Sequence, residues 1–376
     1  MTSAGVDARG LALDVLQRIG EGARANAALA EALDGTALEP RDRAFATELV
    51  YGTTRMARAC DYLVEPFVLR RLDPATRSAL RLGAYQLHFL RTPAHAAVSA
   101  TVQIAPRRSR GLVNAILRRV ADTPPSWPDT ATRLSYPDWI IERLVADLGE
   151  ADGLAALDAM NAAPTLTERP DGYAQDRASQ WVASSVGASA GERVADLCAA
   201  PGGKSTAMAS TGAHVLASDI DPDRVALVAA AVQRTSARSV AVVVADGRTP
   251  PWPPASFDRV LVDAPCSGLG VLHRRPDARW RRLPADVARL TTLQCQLLGA
   301  AADLLRPGGT LVYSVCTLTA EETLGVDTWL ASAHPELVAI DPPGPPWRRH
   351  GRGALLLPQT AGTDGMFVLR LGLPSP

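Results

Sequence analysis

The chain has 376 residues, 47% of them hydrophobic, with 39 basic and 39 acidic side chains. That length supports a substantial core and two or three domains, and zero net charge argues against a uniformly basic nucleic-acid binder. No run approaches the roughly 18 apolar residues of a membrane span and no signal core is apparent, so a cytoplasmic protein without membrane partners is expected.

Residues 8–121 read as helical throughout. Leu11, Leu13, Val15, Leu16 and Ile19, then Phe45, Leu49, Val50, Met56 and Leu63, recur at three- and four-residue spacing, alanine is abundant, and an all-α bundle over 1–124 follows. Asp73-Pro74 and Thr92-Pro93 separate helices, and Pro124-Pro125-Ser126-Trp127-Pro128 marks a linker. Residues 125–173 form a linker and a short helical segment, with helix at about 137–160 and a turn at Arg169-Pro170-Asp171-Gly172. From about 174 to 376 the rhythm changes. Val194–Leu197, Val215–Ser218, Val240–Val244, Val260–Val262 and Leu311–Tyr313 are short apolar strands, mostly separated by helical stretches, as in a doubly wound α/β sheet. Pro342-Pro343-Gly344-Pro345-Pro346 is a stiff loop, and 364–371 reads as a closing edge strand.

Five cysteines, Cys60, Cys198, Cys266, Cys295 and Cys316, are an odd number without CxxC spacing. Neither a disulfide framework nor a metal site is expected. Cys266, in Asp263-Ala264-Pro265-Cys266-Ser267, and Cys316, in Ser314-Val315-Cys316-Thr317-Leu318, each follow an apolar strand and suggest a paired-thiol site. Lys204 is the only lysine of the chain, and it stands in a glycine turn where a compact ammonium suits better than a planar guanidinium. Arginine clusters at 107–110, 118–119 and 274–282 offer backbone contacts to a nucleic acid, the last with Trp280 for stacking. Solvated helix faces explain the first two equally well.

Three cofactors compete for the strand-to-helix turn Asp196-Leu197-Cys198-Ala199-Ala200-Pro201-Gly202-Gly203-Lys204-Ser205. A dinucleotide fingerprint would need GxGxxG, and a phosphate loop would need a glycine where Cys198 stands. S-adenosylmethionine needs a tight turn against its amino-acid moiety and an acceptor for its ribose at the end of the next strand. Asp219 stands there, with Asp221 close enough to be confused with it. Asp246 ends the third strand as a candidate acceptor for the adenine amino group, and Asp263 ends the fourth.

The segments 196–204, 263–267 and 314–318 together resemble the RNA 5-methylcytosine methyltransferases, and Arg41–Gly52, Arg81–Leu87 and Val113–Arg118 resemble the NusB-type helical domain found among them. The resemblance implies a Rossmann-like class I methyltransferase domain behind an all-α NusB-like domain, acting as a monomer on RNA, with 16S ribosomal RNA or a small-subunit assembly intermediate as the partner. It implies S-adenosylmethionine bound by Cys198, Ala199, Ala200, Pro201, Gly202, Gly203, Lys204, Asp219, Asp246 and Asp263. It implies catalysis by Cys316 as nucleophile, Cys266 in product release, Asp263 holding a proton at the ring and Lys204 beside it. The chemistry needs such thiols because carbon-5 of cytosine takes a methyl group only after another atom has added to carbon-6, and a thiolate suits that addition. The carbon-5 proton must then leave, which calls for a base.

Between Asn161-Ala162-Ala163-Pro164 and Gln175-Asp176-Arg177-Ala178 the chain is shorter than the family pattern, so the helical domain and the 274–282 loop are expected to supply more of the RNA contact. Glu321-Glu322-Thr323 stands where Glu-Glu-Asn is common. Two other functions compete: a DNA cytosine-5 enzyme with Cys266 as nucleophile, and a non-catalytic RNA-binding or ribosome-assembly factor.

Overall fold

The computed structural model describes residues 7–90 and 92–375. The chain divides into two compact units. One comprises residues up to 142 with 161–163 and 272–281, the other 143–160, 164–271 and 282 onward.

The first unit is helical, as expected. Helices α1 (Ala8–Gly20), α2 (Ala25–Asp34), α3 (Pro40–Arg55), α4 (Ala57–Val64), α5 (Pro74–His88), α6 (Ala94–Ile104) and α7 (Arg110–Asp122) enclose one core that includes Leu11, Leu49, Leu80, Leu82 and Leu117. The breakers act where the sequence places them. Asp73 accepts from the Thr76 amide at 3.1 Å and Pro74 occupies the first turn of α5, and α6 starts just after Pro93. Helices α8 (Thr130–Leu134), α9 (Asp138–Leu148) and α10 (Glu150–Ala159) follow. Among the described residues no helix is long and apolar enough to cross a membrane.

The second unit is a nine-stranded sheet: β1 (Arg193–Asp196), β2 (His214–Asp219), β3 (Val240–Val244), β4 (Phe257–Asp263), β5 (Leu305–Val315), β6 (Val338–Ala339), β7 (Arg348–His350), β8 (Gly353–Leu356) and β9 (Met366–Gly372). The order is β3-β2-β1-β4-β5-β9-β8-β7, with β6 also on β9. Strands β1 to β5 pair in parallel, and β9 runs antiparallel to β5. Helices α11 (Arg177–Ser185), α12 (Gly203–Ala209), α13 (Pro222–Thr235), α15 (Pro284–Leu304) and α16 (Val326–Ala333) belong to this unit, and the short α14 (Ala278–Arg281) belongs to the first. The strand order reverses between β1 and β4, and open α/β sheets bind ligands at the carboxyl ends of the strands flanking such a reversal.

One expectation is corrected. The last strand is not an edge, because β9 lies between β5 and β8. Met366, Phe367, Val368 and Leu369 are all buried, so both faces of the strand are covered, and an edge strand would alternate.

Candidate active site

The first strand delivers its carboxyl end into the turn 198–203. Gly202 sits at φ +103°, a left-handed conformation, and a Cβ there would stand 2.9 Å from Ala231 of α13. A Cβ on Gly203 would press on Tyr173 at 3.0 Å. The turn 167–175 is clamped onto this loop by Arg169, which is nearly buried. Its guanidinium donates to the Gly203 carbonyl at 2.5 Å and to Thr206 at 3.1 Å, and pairs with Asp171. The shortened segment thus braces the glycine turn, a role that its turn-forming composition did not reveal.

The expected acids stand at the strand ends in three different settings. Asp219 is buried at the end of β2, accepting from Arg224 Nε at 3.1 Å and from the Asp221 amide at 3.3 Å. Asp221 is the N-cap of α13, accepting from the Asp223 amide at 2.9 Å. Asp246 is held by Arg248 on both carboxylate oxygens, at 2.6 to 3.1 Å, so it accepts from a further donor only by sharing with that guanidinium. Asp196 is buried, takes the Ser205 hydroxyl at 2.7 Å, and is pushed up to about 7 by burial. Cys198 in the same turn is also pushed well up, by burial first and then by the charges of Asp196, Asp219 and Asp263.

The reactive groups gather where β4 and β5 end. Parallel register places Asp263 opposite Ser314, and the Ser314 hydroxyl donates to Asp263 Oδ1 at 2.6 Å. Lys204 Nζ donates to Asp263 Oδ2 at 2.6 Å and reaches Ser179 Oγ at 3.5 Å. Burial works to lower the Lys204 pKa, but the charge and hydrogen bond of Asp263 outweigh it and the ammonium is raised above its ordinary value. The two sulfurs, Cys266 Sγ and Cys316 Sγ, are 3.3 Å apart. Cys266 is buried and Cys316 half-buried. The Cys266 thiol is raised well above its usual range, by its contact with Cys316, by burial, and by the charges of Cys316, Glu322 and Asp263. It therefore holds its proton at neutral pH.

Behind the thiols a carboxylate outside the expected set joins the two cysteine loops. Glu322 is completely buried, accepts from the Ser267 amide at 2.8 Å and from Gln294 Nε2 at 3.0 Å on Oε1, and from the hydroxyls of Ser267 at 2.5 Å and Thr319 at 2.9 Å on Oε2. Ser314 and Glu322 both lie in segments that the sequence singled out, but only Ser314 left a signal of its site. It stands two residues before Cys316, which puts both on one side of the strand.

The arginines of 274–282 do not all face solvent. Arg279 is fully buried, donates to the carbonyls of Arg55 and Ser135, to Asn161 Oδ1 and to the Tyr136 hydroxyl at 3.0 to 3.1 Å, and lies 3.8 Å over the Tyr136 ring. Burial lowers it to about 10, so it stays charged at neutral pH. Arg281 pairs with Asp277 at 2.7 Å, and Arg282 donates to the Ser267 and Cys266 carbonyls at 2.9 and 3.3 Å. Of the five arginines in this run, Arg275 and Arg281 are exposed.

The family described as 16S rRNA methyltransferase RsmB/F matches residues 185–372, and the NusB family matches 6–122. The chain belongs to the RsmB/F family. Its relatives include the ribosomal RNA small subunit methyltransferase B of Thermus thermophilus, 38% identical over 96% of this chain and 97% of that protein. A putative methyltransferase of Mycobacterium tuberculosis is 36% identical over 97% of this chain and 96% of that protein. Among solved structures, PH0851 shares the fold with a TM-score of 0.80 at 22% identity over 99% of this chain and all of that one. NSun6 from Pyrococcus horikoshii gives 0.50 at 27% identity over 57% of each chain. As a member of the family the protein is an S-adenosylmethionine-dependent RNA (cytosine-5)-methyltransferase acting on ribosomal RNA.

The residues at the strand ends fit that cofactor. The tight turn after β1 brings backbone close to any ligand at the sheet reversal, and the buried Asp219 carboxylate keeps lone pairs for vicinal hydroxyls beyond its two present donors.

Proposed function

We propose that the protein methylates carbon-5 of a cytosine in 16S ribosomal RNA, free or in a small-subunit assembly intermediate, in the cytoplasm, through a covalent adduct on Cys316. The observation that carries the reading is the contact of two thiols, 3.3 Å apart, at the ends of the strands that also hold the Lys204–Asp263–Ser314 chain. In this reading Asp219 and the 198–204 turn hold the cofactor, and the target base is flipped out of its stack to reach the thiols.

Asymmetry between the sulfurs supports their division of labour. Cys266 keeps its proton more tightly than an ordinary thiol and stands 3.3 Å from the less buried Cys316, near enough to donate to it. Cys316 Sγ adds to carbon-6, and the electron pair displaced from the ring double bond collects on carbon-5 and, by conjugation, on ring N3 and O2. In this reading Asp263 faces that ring with the Lys204 ammonium behind it, and the proton shared between Nζ and Oδ2 shifts toward the ring nitrogen as charge builds there. S-adenosylmethionine, when bound, supplies the methyl group as an electrophile. The carbon-5 proton then passes to solvent water; the electron pair of that bond re-forms the ring double bond, the bond to Cys316 breaks, Cys266 gives its proton to the departing sulfur, and the ring proton returns by way of Asp263. A nucleophilic Cys266, as in the DNA-type alternative, would have to form its thiolate against burial and three neighbouring negative charges.

The test is transfer of labelled methyl from S-adenosylmethionine to unmodified 16S rRNA, to isolated small-subunit intermediates and to transfer RNA, with nucleoside analysis of the product. The expected result is 5-methylcytosine in 16S rRNA or in the intermediates. Label in transfer RNA alone would overturn the substrate, and binding without transfer to any of them would favour an assembly role.

A further inference from the structure

A fully buried carboxylate is expensive to keep unless every lone pair is used, and Glu322 uses both oxygens twice. Its four donors come from three places. Ser267 follows Cys266 directly, Thr319 lies three residues past Cys316, and Gln294 projects from α15, where its Nε2 also binds the Pro265 carbonyl at 2.9 Å. The Ser267 hydroxyl further contacts Thr317 Oγ1 at 2.7 Å, so the residue after each cysteine touches the residue after the other. Glu322 itself is fixed from behind, its carbonyl accepting from the Tyr313 hydroxyl at 2.8 Å.

We propose that Glu322 is a positioning residue for the methyl-transfer reaction: its buried carboxylate ties the Cys266 loop to the Cys316 loop and so sets the separation of the two sulfurs. The inference rests on the reading above, in which one sulfur attacks and the other serves elimination. Both steps need the thiols in a fixed relation to one flipped base, and a displacement of about 1 Å in such an arrangement costs about 100-fold in rate. The carboxylate's hydrogen bonds reach the two cysteine loops through Ser267, Thr319 and Gln294, and Ser267 in turn touches Thr317.

Shape and hydrogen bonding, more than charge, make the clamp. In Glu322→Gln the amide oxygen can keep the Ser267 amide and Gln294, while the amide NH2 can donate to the Ser267 and Thr319 hydroxyls, whose protons rotate freely. Glu322→Ala leaves those donors without a partner.

The experiment measures kcat and KM for S-adenosylmethionine and RNA in wild type, Glu322→Gln, Glu322→Ala and Thr317→Val, each corrected for its folded fraction by thermal melting. The same variants are read in a Cys266→Ser background for the rate at which a denaturation-resistant protein–RNA complex forms. Glu322→Ala is expected to lower kcat about 100-fold with KM for S-adenosylmethionine within about two-fold, Glu322→Gln to recover to within about ten-fold of wild type, and Thr317→Val to lower kcat several-fold. Adduct formation should slow in parallel. Should Glu322→Ala not fold, Thr317→Val and Glu322→Gln carry the test. Wild-type kcat in every folded variant would overturn the proposal, as would a Glu322→Gln enzyme as slow as a well-folded Glu322→Ala, which would make the charge the operative feature. If Cys266→Ser alone traps no complex, the assignment of the cysteines fails separately, and the kcat series still decides the clamp.

Discussion

Removing the Asp219 carboxylate should weaken S-adenosylmethionine binding sharply, while removing that of Asp221, two residues on, should not. Asp219 is 5% exposed, so a hydrogen bond that it accepts from a ribose hydroxyl is little screened by water. A hydrogen bond to a charged, buried group contributes about 1.5–3 kcal/mol, which makes Asp219→Ala about 10- to 150-fold weaker in Kd. The change adds little penalty of its own, because Arg224, the side chain that loses its partner, is 49% exposed and returns to solvent. Asp219→Asn keeps the shape and loses the charge, and should fall between. Asp221 caps α13 through the Asp223 amide, so Asp221→Ala should cost about 1 kcal/mol of stability and leave Kd within about two-fold. Isothermal titration calorimetry of the three variants gives Kd, and chemical denaturation gives stability. An unchanged Kd in Asp219→Ala, or an equal loss in Asp221→Ala, would refute the ribose assignment.

Two further outcomes follow from buried charge. Asp196 titrates at about 7 in the folded chain and near 4 when unfolded, so between those values the native state holds the extra proton and stability falls as pH rises, levelling off above about 7. The fall amounts to roughly 3–4 kcal/mol, and Asp196→Asn should remove that pH-dependent component in denaturation curves recorded from pH 4 to 8; an unchanged slope would contradict it. Arg279→Met should remove four hydrogen bonds, three of them buried, and cost about 3 kcal/mol or more, with Arg279→Lys recovering only part because an ammonium has three donors and no planar fork. If Arg279→Met is as stable as wild type and instead flattens the salt dependence of RNA binding, the side chain faces RNA after all.

Much of this was legible in the sequence, for local reasons. Apolar runs ended by Asp219, Asp263 and Cys316 announce parallel strands whose carboxyl ends carry polar side chains, and the strand order then brings β4 beside β5 and Cys266 beside Cys316. What stayed hidden depends on partners far along the chain. Arg279 looks like any arginine in a basic run until Arg55, Ser135, Tyr136 and Asn161 surround it. Met366–Gly372 reads as a final strand, but whether it is an edge depends on β7 and β8, which span only three and four residues and carry little periodicity. Glu322 follows a cysteine motif without any spacing rule that would mark it, and only the meeting of two loops and α15 gives its carboxylate four donors.

The most direct test of the two-thiol account incubates labelled S-adenosylmethionine and unmodified 16S rRNA with wild type, Cys316→Ser and Cys266→Ser, and scores both methyl transfer and covalent protein–RNA complexes on denaturing gels. The account predicts methylation by wild type, neither product from Cys316→Ser, and an accumulated complex from Cys266→Ser. A complex that persists in Cys316→Ser and vanishes in Cys266→Ser would contradict it.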